Sequence, residues 1–198
     1  MRTAAHTGPA GKGLAVWFTG LSGSGKTTIC RALAAELRIH GFLVQVLDAD
    51  EVRRSISRDL GFSKADRDEN VFRIASLAHA LVNRNFIVLI AAISPYREAR
   101  MQAQKRIGSF LEVHVNASLA SCIARDPKGL YACALSGELH HFTGIDDPYE
   151  PPLNPDVRCD TEIETCAQSA ARVLDAILRL QPDRGSLPAA AAAPQPMQ

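Results

Sequence analysis

The chain has 198 residues, which at about 150 residues per domain argues for one domain, or one domain with tails. Its 46% hydrophobic and 22% charged residues exclude wholesale disorder and supply enough apolar side chain to bury a core unaided. Lys plus Arg number 22 against 21 Asp plus Glu; this net charge of +1 gives no global support for a nucleic-acid coat or an acidic membrane surface, and leaves room for a local basic pocket.

The N-terminal stretch 1–12 is small and polar, and from Gln181 onward prolines and an alanine run leave almost nothing to bury, so 1–12 and 181–198 are expected to be disordered tails around a domain at 13–180. Leu14–Thr19 is an apolar run that predicts a buried strand, closed by a glycine loop. Thr27–His40 carries Ile29, Leu33 and Leu37 on one helical face, with Gly41 as its stop. Leu43–Leu47 predicts a second strand ending at Asp48. Ser63 and Asp66 form a capping box ahead of a long helix with Val71, Ile74, Ala78 and Leu81 on one stripe. Phe86–Ala92 is uninterruptedly apolar, the pattern of a strand covered on both faces. A helix is expected after Pro95, a fourth strand at Phe110–Val115 and a short strand near Val157. A last helix is expected to start at Thr161 and Glu164, with Ala167, Ala170, Leu174 and Ile177 facing inward. Strand–helix alternation implies crossover connections, hence an α/β fold: a mainly parallel sheet between two helical layers, with ligands beyond the carboxyl ends of the strands. The segment 126–155 breaks that rhythm; a stretch this long without a clear period predicts a functional lid.

The 5 cysteines form no CxxC pair and the 6 histidines show no metal-ligand spacing, so a disulfide framework or zinc site is not expected, and reduced, mostly buried thiols are. No apolar run approaches the roughly 18 residues of a membrane helix, and Met1–Gly13 lacks a signal peptide's apolar core, so a cytoplasmic protein is expected.

The strongest chemical signal is Gly20-Leu21-Ser22-Gly23-Ser24-Gly25-Lys26-Thr27, a full GxxxxGK[ST] match placed between a strand and a helix. Its glycines let the backbone turn N–H groups inward around phosphate oxygens. The following helix N-terminus adds favourable field. Lys26 would neutralise the outer phosphates, and Thr27 would place its hydroxyl on Mg²⁺. Strand two ends in Asp48-Ala49-Asp50, where one carboxylate suits Mg²⁺ or its waters and one suits accepting a proton; capping a following helix is the alternative for Asp48. Arg53, Arg67 and Asn70 follow, with guanidinium forks suited to phosphate or sulfate. Strand three ends in Ile93-Ser94-Pro95, putting Ser94 on the ligand side or at a helix cap. Arg125 and Lys128 of the lid region could cover phosphates, and Phe142 could stack on a base. A guanine-specific NKxD signature is absent from the sequence, as are a basic stripe and an RNP-like aromatic pair, which disfavours a GTPase switch and a nucleic-acid binder. A kinase of another small hydroxyl compound and a catalytically silent nucleotide-binding subunit stay open on these residues alone.

GLSGSGKTT, LDADEVR, DLGF with DRDEN, ISPYR, RDPKGLY and FTGIDDPYE, in this order, resemble the adenylylsulfate kinase (APS kinase) family of P-loop kinases over nearly the whole domain. The resemblance implies transfer of the ATP γ-phosphoryl group to the 3′-hydroxyl of adenosine 5′-phosphosulfate (APS), with Mg²⁺. It assigns Gly20–Thr27, Thr28 and Arg125 to ATP, Thr27 and Asp48 to the metal, and Lys26, Asp50 and Ser94 to catalysis. Asp50, Arg53, Phe62, Arg67, Asn70, Ile93, Ser94, Lys128 and Phe142 match acceptor-binding positions: Phe62 and Phe142 sandwich the adenine, while Arg67 and Asn70 hold the phosphosulfate end. Ser94 matches the position often described as a phosphoserine intermediate; direct in-line transfer is the simpler expectation, since phosphoryl transfer needs mainly positioning and charge neutralisation. A homodimer and association with a sulfate adenylyltransferase are carried with the resemblance. Ala49 and Glu51 depart from the family's usual DGDN, adding a Cβ and a negative charge that either weakens acceptor binding or points to solvent.

Overall fold

A computed structural model describes residues 11–181. The expected tails lie outside the described residues except at Gly11, Lys12 and Gln181. Gln181 is buried, and its amide donates to the Lys12 carbonyl at 2.7 Å, joining the two ends of the domain.

Twelve elements follow in chain order: β1 (Leu14–Thr19), α1 (Lys26–Ile39), β2 (Val44–Asp48), α2 (Ala49–Ser55), α3 (Lys64–Val82), β3 (Ile87–Ala91), α4 (Arg97–Ile107), β4 (Phe110–Asn116), α5 (Leu119–Arg125), α6 (Leu130–Leu135), β5 (Val157–Asp160) and α7 (Cys166–Arg179). The strands form a five-stranded sheet in the order β2-β3-β1-β4-β5, every pair parallel.

The central strand shows why both faces are covered. Leu14, Val16 and Phe18 pack with Ile29, Leu33 and Leu37 of α1 and Val173 and Ile177 of α7. Ala15 and Trp17 point the other way, onto Ile74 and Ala78 of α3 and Ala103 of α4. Alternate side chains thus feed two separate cores, and a strand with two apolar layers carries no polar alternation. Each large side chain so buried contributes about 1.5–3 kcal/mol. The result is a three-layer α/β/α fold.

One expectation needs correction. The last helix does not start at Thr161 and Glu164. Its N-cap is Thr165, whose hydroxyl accepts from the Gln168 N–H while the Gln168 side chain accepts from the Thr165 N–H. Its inward face holds Ser169, Ala170, Val173 and Ile177, with Ala167 exposed. The segment after Asp126, which shows no clear period in the sequence, has local structure. It contains α6 and a small core of its own, in which Tyr131 meets Phe142 edge to face at 5.0 Å beside Cys122 and Ala134. Its apolar residues pack across a short helix and a loop, so they show no single period.

Candidate active site

The loop from Gly20 to Gly25 leaves β1 at its carboxyl end and feeds α1. Gly23 and Gly25 have φ of 74° and 105°, which an L side chain adopts only with strain. Lys26 opens α1 and folds back, donating to the Gly20 carbonyl at 2.9 Å and the Leu21 carbonyl at 2.7 Å. Burial pushes its pKa down to about 8, partly opposed by the nearby Asp50 charge.

Thr27 donates its hydroxyl to Asp48 Oδ2 at 2.9 Å, and Asp48 Oδ1 accepts from the Asp50 N–H at 2.9 Å. Asp48 therefore caps α2 and faces Thr27 at once. Among the described residues there is no cluster of three or more His, Cys, Asp or Glu that could hold a metal. A hydroxyl and one carboxylate, both hard oxygens, suit Mg²⁺, which is commonly held by one or two protein groups plus phosphate and water.

A single cleft of about 960 Å³ runs along the carboxyl edge of the sheet. One end is lined by Ser22–Thr28, Arg125 and Thr161, and the other by Asp50, Arg53, Phe62, Arg67, Asn70, Ile93, Ser94, Lys128 and Phe142. The phosphate loop and the expected acceptor residues thus share one cavity. Gly20 and Leu21 sit behind it, acting through the carbonyls that hold Lys26.

At the acceptor end, Arg53 lies over the Phe62 ring at 4.8 Å and donates to the Gly61 carbonyl at 2.8 Å. Arg67, buried, donates to the Phe62 carbonyl at 3.0 Å and to the His141 carbonyl, and pairs with Asp147 at 3.5 Å. It therefore ties α3 to the 141–147 stretch as well as charging the cleft. Asn70 Oδ1 and Thr143 Oγ1 are buried without a protein partner, an arrangement that favours a polar ligand there. Lys128 donates to the Asp50 carboxylate across the mouth. Ser94 has φ 41°, is buried, and its hydroxyl accepts from the Trp17 indole N–H at 3.0 Å.

At the nucleotide end, Arg125 donates to Thr161 Oγ1 at 3.0 Å and to the Thr161 carbonyl at 2.7 Å, and Thr161 donates to the Ser24 carbonyl at 2.9 Å. Tyr131 of α6 donates to the Ser22 carbonyl at 3.1 Å. Thr161, Glu164, Cys166, Pro127, Arg31 and Thr143 line the cleft without having been assigned to it from the sequence. For Thr161 the signal was its place just beyond the carboxyl end of β5, obscured by its resemblance to a helix cap.

A model of the adenylylsulphate kinase family matches residues 12–160. The chain belongs to this family. Adenylyl-sulfate kinases of Microcystis aeruginosa and Halothermothrix orenii are 52% and 53% identical to it, over 85% and 83% of this chain and 93% and 89% of theirs. The solved structure of a Mycobacterium tuberculosis APS kinase in complex with AMPPNP and APS matches with a TM-score of 0.83 at 43% identity, covering 85% of this chain and 99% of that one. A hexameric APS kinase from Thiobacillus denitrificans matches at 34% identity and a TM-score of 0.65, over 87% of this chain and 30% of that one. A Sinorhizobium meliloti gluconokinase, 16% identical with a TM-score of 0.59, shares the P-loop kinase fold alone.

Proposed function

We propose that this APS kinase family member transfers the γ-phosphoryl group of ATP to the 3′-hydroxyl of APS, giving 3′-phosphoadenosine 5′-phosphosulfate. One observation carries the reading: the phosphate loop and the matched acceptor residues line the same cleft. The relative solved with AMPPNP and APS, a triphosphate analogue and the acceptor, supports it.

The backbone N–H groups of Gly23–Thr27 cradle the β- and γ-phosphates, and Lys26 swings from the Gly20 and Leu21 carbonyls onto their oxygens. Thr27 and Asp48 would hold Mg²⁺, which when bound neutralises charge on the phosphates. Asp50 orients the 3′-hydroxyl and takes its proton as the hydroxyl attacks. Phe62 and Phe142 hold the acceptor adenine, while Arg53, Arg67, Asn70 and Lys128 surround its phosphosulfate group. Ser94 holds Trp17 with its hydroxyl, which supports direct transfer with Ser94 as part of the acceptor wall.

Incubation with ATP, Mg²⁺ and APS should give the 3′-phosphorylated product. ATP turnover without APS would point to another acceptor, and binding without turnover to a silent subunit. The same proposal has the enzyme act in the cytoplasm. No helix among the described residues is long and apolar enough to cross a membrane, which accords with that. The hexameric relative supports self-association; sedimentation would test for a homodimer, and co-purification would test for a sulfate adenylyltransferase partner.

A further inference from the structure

Arg100, in the second turn of α4, is 3% exposed and spends its whole guanidinium on three separate partners. Nη1 donates to the Ser94 carbonyl at 2.6 Å, Nη2 to the Glu150 carbonyl at 2.8 Å, and Nε to Glu112 Oε1 at 2.8 Å. Ser94 belongs to the acceptor wall and has a left-handed φ of 41°, a conformation that a serine keeps only when its surroundings impose it. Glu150 belongs to the return of the lid, eight residues beyond Phe142. One buried cation thus grips both walls around the acceptor.

The neighbouring contacts run along the same seam. Thr19 donates to the Ile93 carbonyl at 2.7 Å, and its hydroxyl meets the Tyr149 hydroxyl at 3.1 Å. The Glu150 N–H donates to the Pro95 carbonyl at 2.8 Å. Arg97 donates through its backbone to Glu150 Oε2 at 2.8 Å and through Nε to the Pro151 carbonyl at 2.7 Å. Glu112, on β4, supplies the counter-charge that makes burying Arg100 tolerable. Thr19 also joins strand end, lid and sheet, but only Arg100 does so as a buried cation that holds the Ser94 carbonyl itself.

We infer that Arg100 is a positioning residue for the acceptor: it fixes the left-handed turn at Ser94 and locks the lid return at Glu150 to it, so that the wall and the Phe142 side of the acceptor pocket keep one spacing. The inference rests on the APS-acceptor reading. Arg100 does not line the cleft beside the phosphate loop, so its loss should weaken acceptor use selectively. A planar fork is needed, because a lysine ammonium at this place has the charge without three divergent donors in one plane.

Trp17 supplies a second readout. It is the only tryptophan in the chain, it is fully buried, and it donates to Ser94 Oγ. Its emission therefore reports on the turn that Arg100 holds.

The test compares the wild-type chain with Arg100→Lys and Glu112→Gln, measuring KM for APS, KM for ATP, kcat and Trp17 emission with and without APS. Arg100→Lys is expected to raise KM for APS about tenfold with KM for ATP within about twofold, and to shift Trp17 emission in the ligand-free protein. Glu112→Gln, which leaves the fork in place but removes its counter-charge, is expected to do the same more weakly. If Arg100→Lys does not fold, Glu112→Gln decides alone. Unchanged KM for APS and unchanged emission in the folded variants would overturn the inference, as would equal rises in both KM values. A wild-type chain without APS-dependent turnover would instead overturn the acceptor reading, leaving the emission shift as the separate measure of Arg100's hold on Ser94.

Discussion

Lys128, in the turn between α5 and α6, donates a hydrogen bond to the Asp50 carboxylate at the start of α2, so these two elements touch across the mouth of the cleft. Both side chains are more than half exposed, at 53% and 56%. A pair this wet contributes under about 1 kcal/mol to stability, so it is a poor structural device and a good functional one. Lys128→Met should leave the denaturation midpoint almost unmoved while raising KM for APS more than KM for ATP. Asp50→Asn should also fold normally yet lose at least ~10²-fold in kcat as the proton acceptor is removed. Full activity in Asp50→Asn would remove that role.

Lys26 makes the second prediction, and its sign follows from burial. The buried ammonium releases its proton near pH 8, against an ordinary lysine value of 10.5. Between those values the unfolded chain binds more protons than the folded one, so this group makes stability rise with pH through that window. Below pH 8 both states are charged and the burial cost is felt in full. Lys26→Met should flatten the rise in melting experiments from pH 8 to pH 10, and should abolish transfer. Phosphate oxygens favour the charged form, so ATP binding near pH 8.5 should take up a proton and weaken as pH rises. Calorimetry in two buffers of different ionisation enthalpy measures this directly; equal enthalpies in both would count against it.

How much of this was legible in the sequence depends on what each residue answers to. Gly23, Gly25, Lys26 and Thr27 were readable because a phosphate cradle needs left-handed backbone, a cation and a hydroxyl at fixed spacing between a strand and a helix. The strands were readable because two-sided burial demands continuous apolar runs. Arg100 was not, because its role is set by a sheet partner, Glu112, and by a lid carbonyl fifty residues along the chain. Thr161 was misread because a threonine followed three residues later by a glutamate looks like a cap in any sequence. Only the fold shows that its hydroxyl reaches the Ser24 carbonyl instead.

Ser94 supports a third prediction. Its hydroxyl accepts from the Trp17 indole in a fully buried setting, so Ser94→Ala leaves that N–H without a partner. The expected cost is about 1–3 kcal/mol in denaturant unfolding, with little added backbone strain, since alanine and serine resist φ 41° alike. Transfer should persist at a reduced rate. Measurable product excludes an obligatory phosphoserine, and complete loss in a folded variant would restore it.

The fourth prediction concerns Glu51, the carboxylate that stands where the family usually has an amide. It is exposed at the cleft rim and also lines an adjoining pocket of about 250 Å³ with Arg31 and Arg38. Arg31, Arg38 and the Asp48 carboxylate share that pocket with it, and water screens its charge before it reaches the phosphosulfate end of the acceptor. Glu51→Asn should therefore lower KM for APS by less than about threefold at physiological salt, about 0.6 kcal/mol. The gain should shrink further at high salt. A tenfold improvement in Glu51→Asn alone would show that the carboxylate faces the acceptor unshielded.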